Sequence, residues 1–245
     1  MTPLVDVPQR LTKLRPEVWA ALGCAVALLL YGNLTSVFSH DTRGRFLLWS
    51  NLGVMTLLLA WAFGAARMTA RDVGLSLRSA PASAAVGAAL SLLASVPPVM
   101  FLVLAPLFNG SPVEAPDITE RSGPSMTYFL LFRQPVGTAL FEEVAFRGVL
   151  YSAWCRVGGD RTAFLATSSV FALWHLVISS RSVAESGVVS GAPMVTLGVI
   201  VSLAGLWVGG FLFAYLRWRT GSIAAPVVAH WLIVAPMALT VWALG

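Results

Sequence analysis

The stretch VGTALFEEVAFRGVLYSAW, residues 136–154, carries Glu142, Glu143 and Arg147 inside an otherwise apolar run. A membrane-spanning helix needs about 20 mostly apolar residues, and this run qualifies. A charge at bilayer depth costs roughly 2.5–3.5 kcal/mol on insertion scales, so such residues face a bundle interior or a water-filled cavity. Three charges within six positions therefore predict a helix whose polar side is turned away from lipid. That reading sets the fold: the helix needs other helices to enclose it.

The rest of the chain supplies them. Of its 245 residues, 57% are hydrophobic and 11% charged, with a mean hydropathy of +0.79. A soluble domain carries about 25% charged residues. The composition predicts an all-α, polytopic transmembrane helix bundle forming one domain over residues 17–245, after a polar tail at 1–16 punctuated by Pro3, Pro8 and Pro16. Apolar runs fall at about 17–39, 46–66, 82–108, 126–155, 162–179, 194–216 and 222–244. Seven spans result, or eight if Pro97-Pro98 or Pro135 breaks a long run, since proline removes a helical hydrogen bond. The loop 109–125 reads as a connector or a lid. Gly205-Leu206-Trp207-Val208-Gly209-Gly210 reads as a close-packing helix face. Thr220-Gly221-Ser222 reads as a turn between the last two spans.

The net charge of +5 is not a nucleic-acid footprint, because the basic residues lie between apolar runs. With the N-terminus inside, Arg10, Lys13, Arg15, Arg67, Arg71, Arg78, Arg156, Arg161, Arg217 and Arg219 lie on the inner side. Only Arg43, Arg45, Arg121 and Arg181 lie outside. The bias predicts a cytoplasmic N-terminus; the single lysine among many arginines fits a GC-rich bacterial genome, and the expected location is a bacterial plasma membrane. Cys24 and Cys155 have no spacing that suggests a disulfide framework or a zinc motif.

Two of the three histidines, His175 and His230, are set in apolar runs; His40 sits beside Asp41 in a short loop and reads as solvated. At 1.5 Å per residue, Glu142 lies roughly 21 Å from Arg156, and His175 roughly 21 Å from Arg161. Both arginines flank one short loop, so antiparallel neighbours bring the carboxylate and the imidazole to similar depth. His230, roughly 12 Å from Ser222, is offset toward the inner side. Glu143 and Arg147 are four apart and can pair along one helix face. Glu142 points about 100° away and is left as the candidate general base.

Glu-Glu-x-x-x-Arg at 142–147, Phe-x-x-x-His at 171–175 and a Thr-Gly-Ser turn leading to a helix with His230 resemble the CAAX protease and bacteriocin-processing (CPBP/Abi) family of intramembrane endopeptidases, over residues 125–245. The resemblance implies that Glu142 and His175 activate water and that His230 stabilises the oxyanion, with Glu143, Arg147 and Phe171 in support. The family commonly has Asn or Asp four residues after the last histidine, where this chain has Val234. Ser179, one turn beyond His175, is a substitute donor. A membrane-associated protein or peptide is then the substrate and partner, with the bilayer as the setting and no nucleic acid. The expected mechanism needs no cofactor; the alternative is zinc held by Glu142, His175 and His230, a ligand set that zinc accepts, although no His-Glu-x-x-His helix is present. A non-catalytic binding or immunity protein on the same scaffold is the competing reading.

Overall fold

A bilayer offers no partner for an unpaired backbone N–H or C=O, so a spanning segment must bond to itself. The computed structural model describes residues 16–38 and 40–245, and there the chain is helix and turn throughout. Residues 1–15 and Ser39, and the side chains of His40, Asp41, Arg43, Arg45 and Asn109, lie outside the described residues.

The elements in order are α1 (Pro16–Thr35), α2 (His40–Phe63), α3 (Ala80–Ala94), α4 (Val96–Asn109) and the single turn α5 (Pro116–Thr119). A long helix α6 (residues 123–157) follows, then α7 (residues 160–174), α8 (Leu176–Glu185), α9 (Ala192–Thr220) and α10 (Ala224–Leu244). Five spans are long and apolar enough to cross a membrane on their own: Pro16–Thr35, Phe46–Phe63, Ala80–Phe108, Ala192–Thr220 and Ala224–Leu244. The third contains α3 and α4. Its interruption falls at Ser95, just ahead of Pro97-Pro98, and the two helices still form one crossing.

The other apolar stretch reverses direction. Gly158 (φ −151°) and Gly159 (φ +73°) leave the helical region, and a positive φ suits glycine because it has no Cβ. Ring contacts then pair Tyr151 with Phe164 (5.8 Å), Phe146 with Phe171 (5.1 Å) and Phe141 with Trp174 (5.9 Å). As one residue number rises the other falls, which is an antiparallel hairpin. With the bent pair formed by residues 123–174 and Leu176–Glu185, five to six described spans are long and apolar enough to cross, roughly consistent with about seven. Pro135 does not break α6: hydrogen bonds widen to i→i+5 over Phe129–Leu140, while the flanking dihedrals stay ordinary for a helix.

Each end of the bundle is tied by arginines and backbone carbonyls. On one face, Arg156 donates to Ala66 O (2.6 Å) and Arg217 to Asp72 O (2.7 Å). On the other, Arg181 donates to Ser36 O (3.0 Å) and Phe38 O (2.7 Å). The loop 109–125 is docked on that second face, with Glu114 N–H on Ser186 O and Trp242 Nε1 on Arg121 O. Gly221, at φ +68°, ends α9 as the Thr-Gly-Ser turn requires, and the Ser222 hydroxyl accepts from Ala224 N–H (3.2 Å). The glycine face of α9 differs from expectation. Within residues 205–210, Gly210 alone meets a neighbouring helix, at Ser168 and Phe171, whereas Gly205 and Gly209 look onto open space.

Candidate active site

α6 carries Glu142, Glu143 and Arg147 to the middle of the bundle, where all three are buried and both Glu143 and Arg147 are fully enclosed. α7 and α10 pack against it and bring His175 and His230. His175 stands where α7 ends (φ −90°, ψ 6°), and α8 leaves at an angle of 46°. A helix broken at bilayer depth exposes polar backbone groups, and α1 satisfies them here. Asn33 Nδ2 donates to Leu173 O (3.0 Å) while its Oδ1 accepts from Val177 N–H (3.0 Å). Next to it, a Cβ on Gly32 would sit 2.4 Å from the Trp174 indole, so glycine is what lets α1 come this close.

The polar groups fall into two layers. Behind lies a closed ion pair: Arg147 Nη1 donates to Glu143 Oε1 (3.2 Å) and Nη2 to Gly210 O (3.2 Å). The guanidinium lies 4.2 Å from the centre of the Phe171 ring and 5.2 Å from that of Phe213, which supply cation–π contacts. The same Glu143 Oε1 also faces His230 Nδ1 at 2.9 Å. A carboxylate only accepts, so Nδ1 carries the proton there. In front stands Glu142. Its Oε2 is buried without a hydrogen-bond partner and lies 4.0 Å from Nε2 of both His175 and His230. That gap is too long for a direct bond and suits a bridging water. His175 Nδ1 faces Phe171 O (2.8 Å), which fixes the proton on Nδ1 and leaves Nε2 as an acceptor when the ring is neutral.

Glu142, His175 and His230 are therefore brought together from three spans, with Glu143, Arg147 and Phe171 directly behind them. Ser179 is buried, but its hydroxyl accepts from Ser202 on α9 (3.2 Å). The missing polar neighbour at Val234 is answered from another helix, since His230 is oriented by Glu143. Sequence reasoning missed Asn33 and Gly32. The only signal was an Asn in an apolar span, the kind of intramembrane polar residue that hydrogen-bonds across helices.

The donor set can also be tested against zinc. Both histidines present Nε2 with Nδ1 bonded to an oxygen acceptor, the second-shell pattern that metal-bound imidazoles use. Bonds of 2.0–2.1 Å in a tetrahedral site put ligand atoms about 3.3 Å apart. The 4.0 Å separations found here would have to close by more than half an ångström. The residue types fit the ion, and the spacing fits it less well than it fits water.

Residues 124–235 match the protein family described as Type II CAAX prenyl endopeptidase Rce1-like. The matched segment contains α6 through most of α10, and with it every residue of the two layers described above. No curated protein and no solved structure matches the chain.

Proposed function

We propose, from the premise that residues 124–235 belong to the Rce1-like type II CAAX prenyl endopeptidase family, that this integral membrane protein is an intramembrane endopeptidase working through Glu142 and His175. The observation that carries the reading is Glu142 Oε2, buried, unpartnered and 4.0 Å from two imidazole nitrogens. A water between Glu142 and His175 can donate one hydrogen to each, which turns its lone pair toward a substrate carbonyl. Glu142 takes the proton as attack proceeds, as a general base must, and hands it to the amide nitrogen as the C–N bond breaks and the amine leaves. His230, with Glu143 at its back as counter-charge, is the donor for the developing oxyanion when both ring nitrogens are protonated. Arg147 holds Glu143 in place. Ser179 is a supporting hydroxyl one turn past His175.

The substrate in this reading is a membrane-associated protein or peptide whose scissile bond is held in the bundle. The membrane in this reading is a bacterial plasma membrane, and the arginine bias supports an N-terminus in the cytoplasm. Hydrolysis needs no metal here, because carboxylate and imidazole already provide base and donor.

The test compares membrane peptides from cells carrying the wild-type protein or Glu142→Gln. Removal of a general base costs about 10²–10⁴-fold in rate. Processing should vanish while the variant stays inserted, since Glu142 Oε2 makes no bond that folding needs. Undiminished processing would end this mechanism. Loss with a zinc chelator and recovery with added zinc would instead assign Glu142, His175 and His230 as metal ligands. Full biological protection by Glu142→Gln with no peptide cut would favour the binding or immunity protein.

A further inference from the structure

Ten residues beyond Glu142, about 15 Å along α6, the arginine-tied face of the bundle opens into a second polar cavity. Its volume is about 390 Å³ and its walls include Arg71, Arg156, Arg217, Asp160, Tyr151 and Trp218. A neighbouring cavity of about 410 Å³ shares Arg71 and adds Ser76 and Ser79. Volumes of this size are those of small-molecule sites. None of these side chains belongs to the Glu142 cluster.

The segments forming this face, 64–79, 155–161 and 217–221, hold seven arginines and two aspartates. Both carboxylates are already engaged. Asp72 Oδ2 accepts from Thr69 N–H (2.8 Å) and lies 3.6 Å from Arg156; the same hydrogen bond holds its carboxyl below the ordinary aspartate value. Asp160 accepts from the Tyr151 hydroxyl (2.8 Å) and from Trp218 Nε1 (3.1 Å). Arg217 is buried, with Nη2 anchored on the carbonyls of Arg71 and Asp72, so its charge is fixed in the wall. In contrast, the Arg71 guanidinium has no hydrogen-bond partner among the described residues, and neither have the hydroxyls of Ser76 and Ser79. Leu77, Trp218 and Tyr215 are exposed at this level, an apolar and aromatic fringe of the kind found at the membrane–water boundary.

We propose that this double cavity is a phosphate-binding site, with Arg71, Ser76 and Ser79 as donors and Arg217 as the fixed charge. The phosphate is that of an anionic lipid headgroup or free phosphate from solution. The first test is native mass spectrometry of the full chain released from nanodiscs of equal phosphatidylglycerol and phosphatidylcholine. The wild type should retain phosphatidylglycerol preferentially, and Arg71→Gln should lower that preference about fivefold. A Ser76→Ala/Ser79→Ala variant should move it in the same direction. In phosphatidylcholine alone, a rise in thermal midpoint with millimolar inorganic phosphate, abolished by Arg71→Gln, assigns the site to free phosphate. Equal retention of both lipids with no response to phosphate overturns the proposal. So does a wild-type lipid preference in Arg71→Gln together with an unaltered phosphate response.

Discussion

Two regions of this protein use arginine for opposite ends. At mid-depth, Arg147 is wholly enclosed and closes a network of Glu143, His230 and the Gly210 carbonyl. At the basic face, Arg156 and Arg217 hold loop carbonyls instead, and Arg71 is left facing a cavity. The contrast shows what depth does to a charge. In the interior a cation is tolerated only with its partner, and removing one of the two strands the other. At the rim, water shares the task, and an ion pair contributes little.

The largest expected effect tests the interior half of that contrast. Arg147→Ala should destabilise the fold by about 3–5 kcal/mol, read as an unfolding midpoint in detergent, because Glu143 would be left buried without its permanent counter-charge and with only His230 Nδ1 to bond. A change below about 1 kcal/mol would show that water reaches Glu143 freely and that the two regions do not differ. Asn33→Ala comes next. It strips the break at His175 of two hydrogen bonds and should cost about 1–3 kcal/mol. Because α8 and His175 would lose their anchor, peptide cleavage should fall more than stability does. A loss confined to stability would make Asn33 structural only. The smallest effect belongs to the rim: Asp72→Asn should cost less than about 1 kcal/mol, since both Asp72 and Arg156 are partly solvated. The sign with pH follows from the Asp72 carboxyl lying below its ordinary value of 3.8, chiefly through the Thr69 N–H. Its contribution is complete above that value and is lost as pH falls through the lower folded value. Wild type and Asp72→Asn should therefore converge in acid, and a gap that widens there would contradict the assignment.

Much of the bundle could be read directly. Long apolar runs with arginines between them marked the spanning helices, because bilayer thickness fixes their length. Glu143 and Arg147 could be paired by spacing alone. Other features were hidden for physical reasons. The break at His175 has no proline or glycine to announce it; it is stabilised by Asn33, some 140 residues earlier in the chain. The partner of His230 was sought along its own helix near Val234, whereas Glu143 reaches it from α6. The glycine pattern at residues 205–210 overstated the packing there, since small residues permit close approach only where a neighbour stands, and within that stretch one stands at Gly210. Spacing within a helix is legible because its period is fixed. Contact between helices depends on tilt and rotation, which no local pattern records.

The Asn33 stitch has an implication for biogenesis. Asn33 is synthesised well before Leu173 and Val177, the groups that it will bond. When the last three crossings enter the bilayer, the first must already be resident and able to receive them. Residues 123–245 produced alone would leave that carbonyl and that amide bare in lipid. Supplying residues 1–122 as a separate chain should restore the junction, as a preformed mould shapes a later casting.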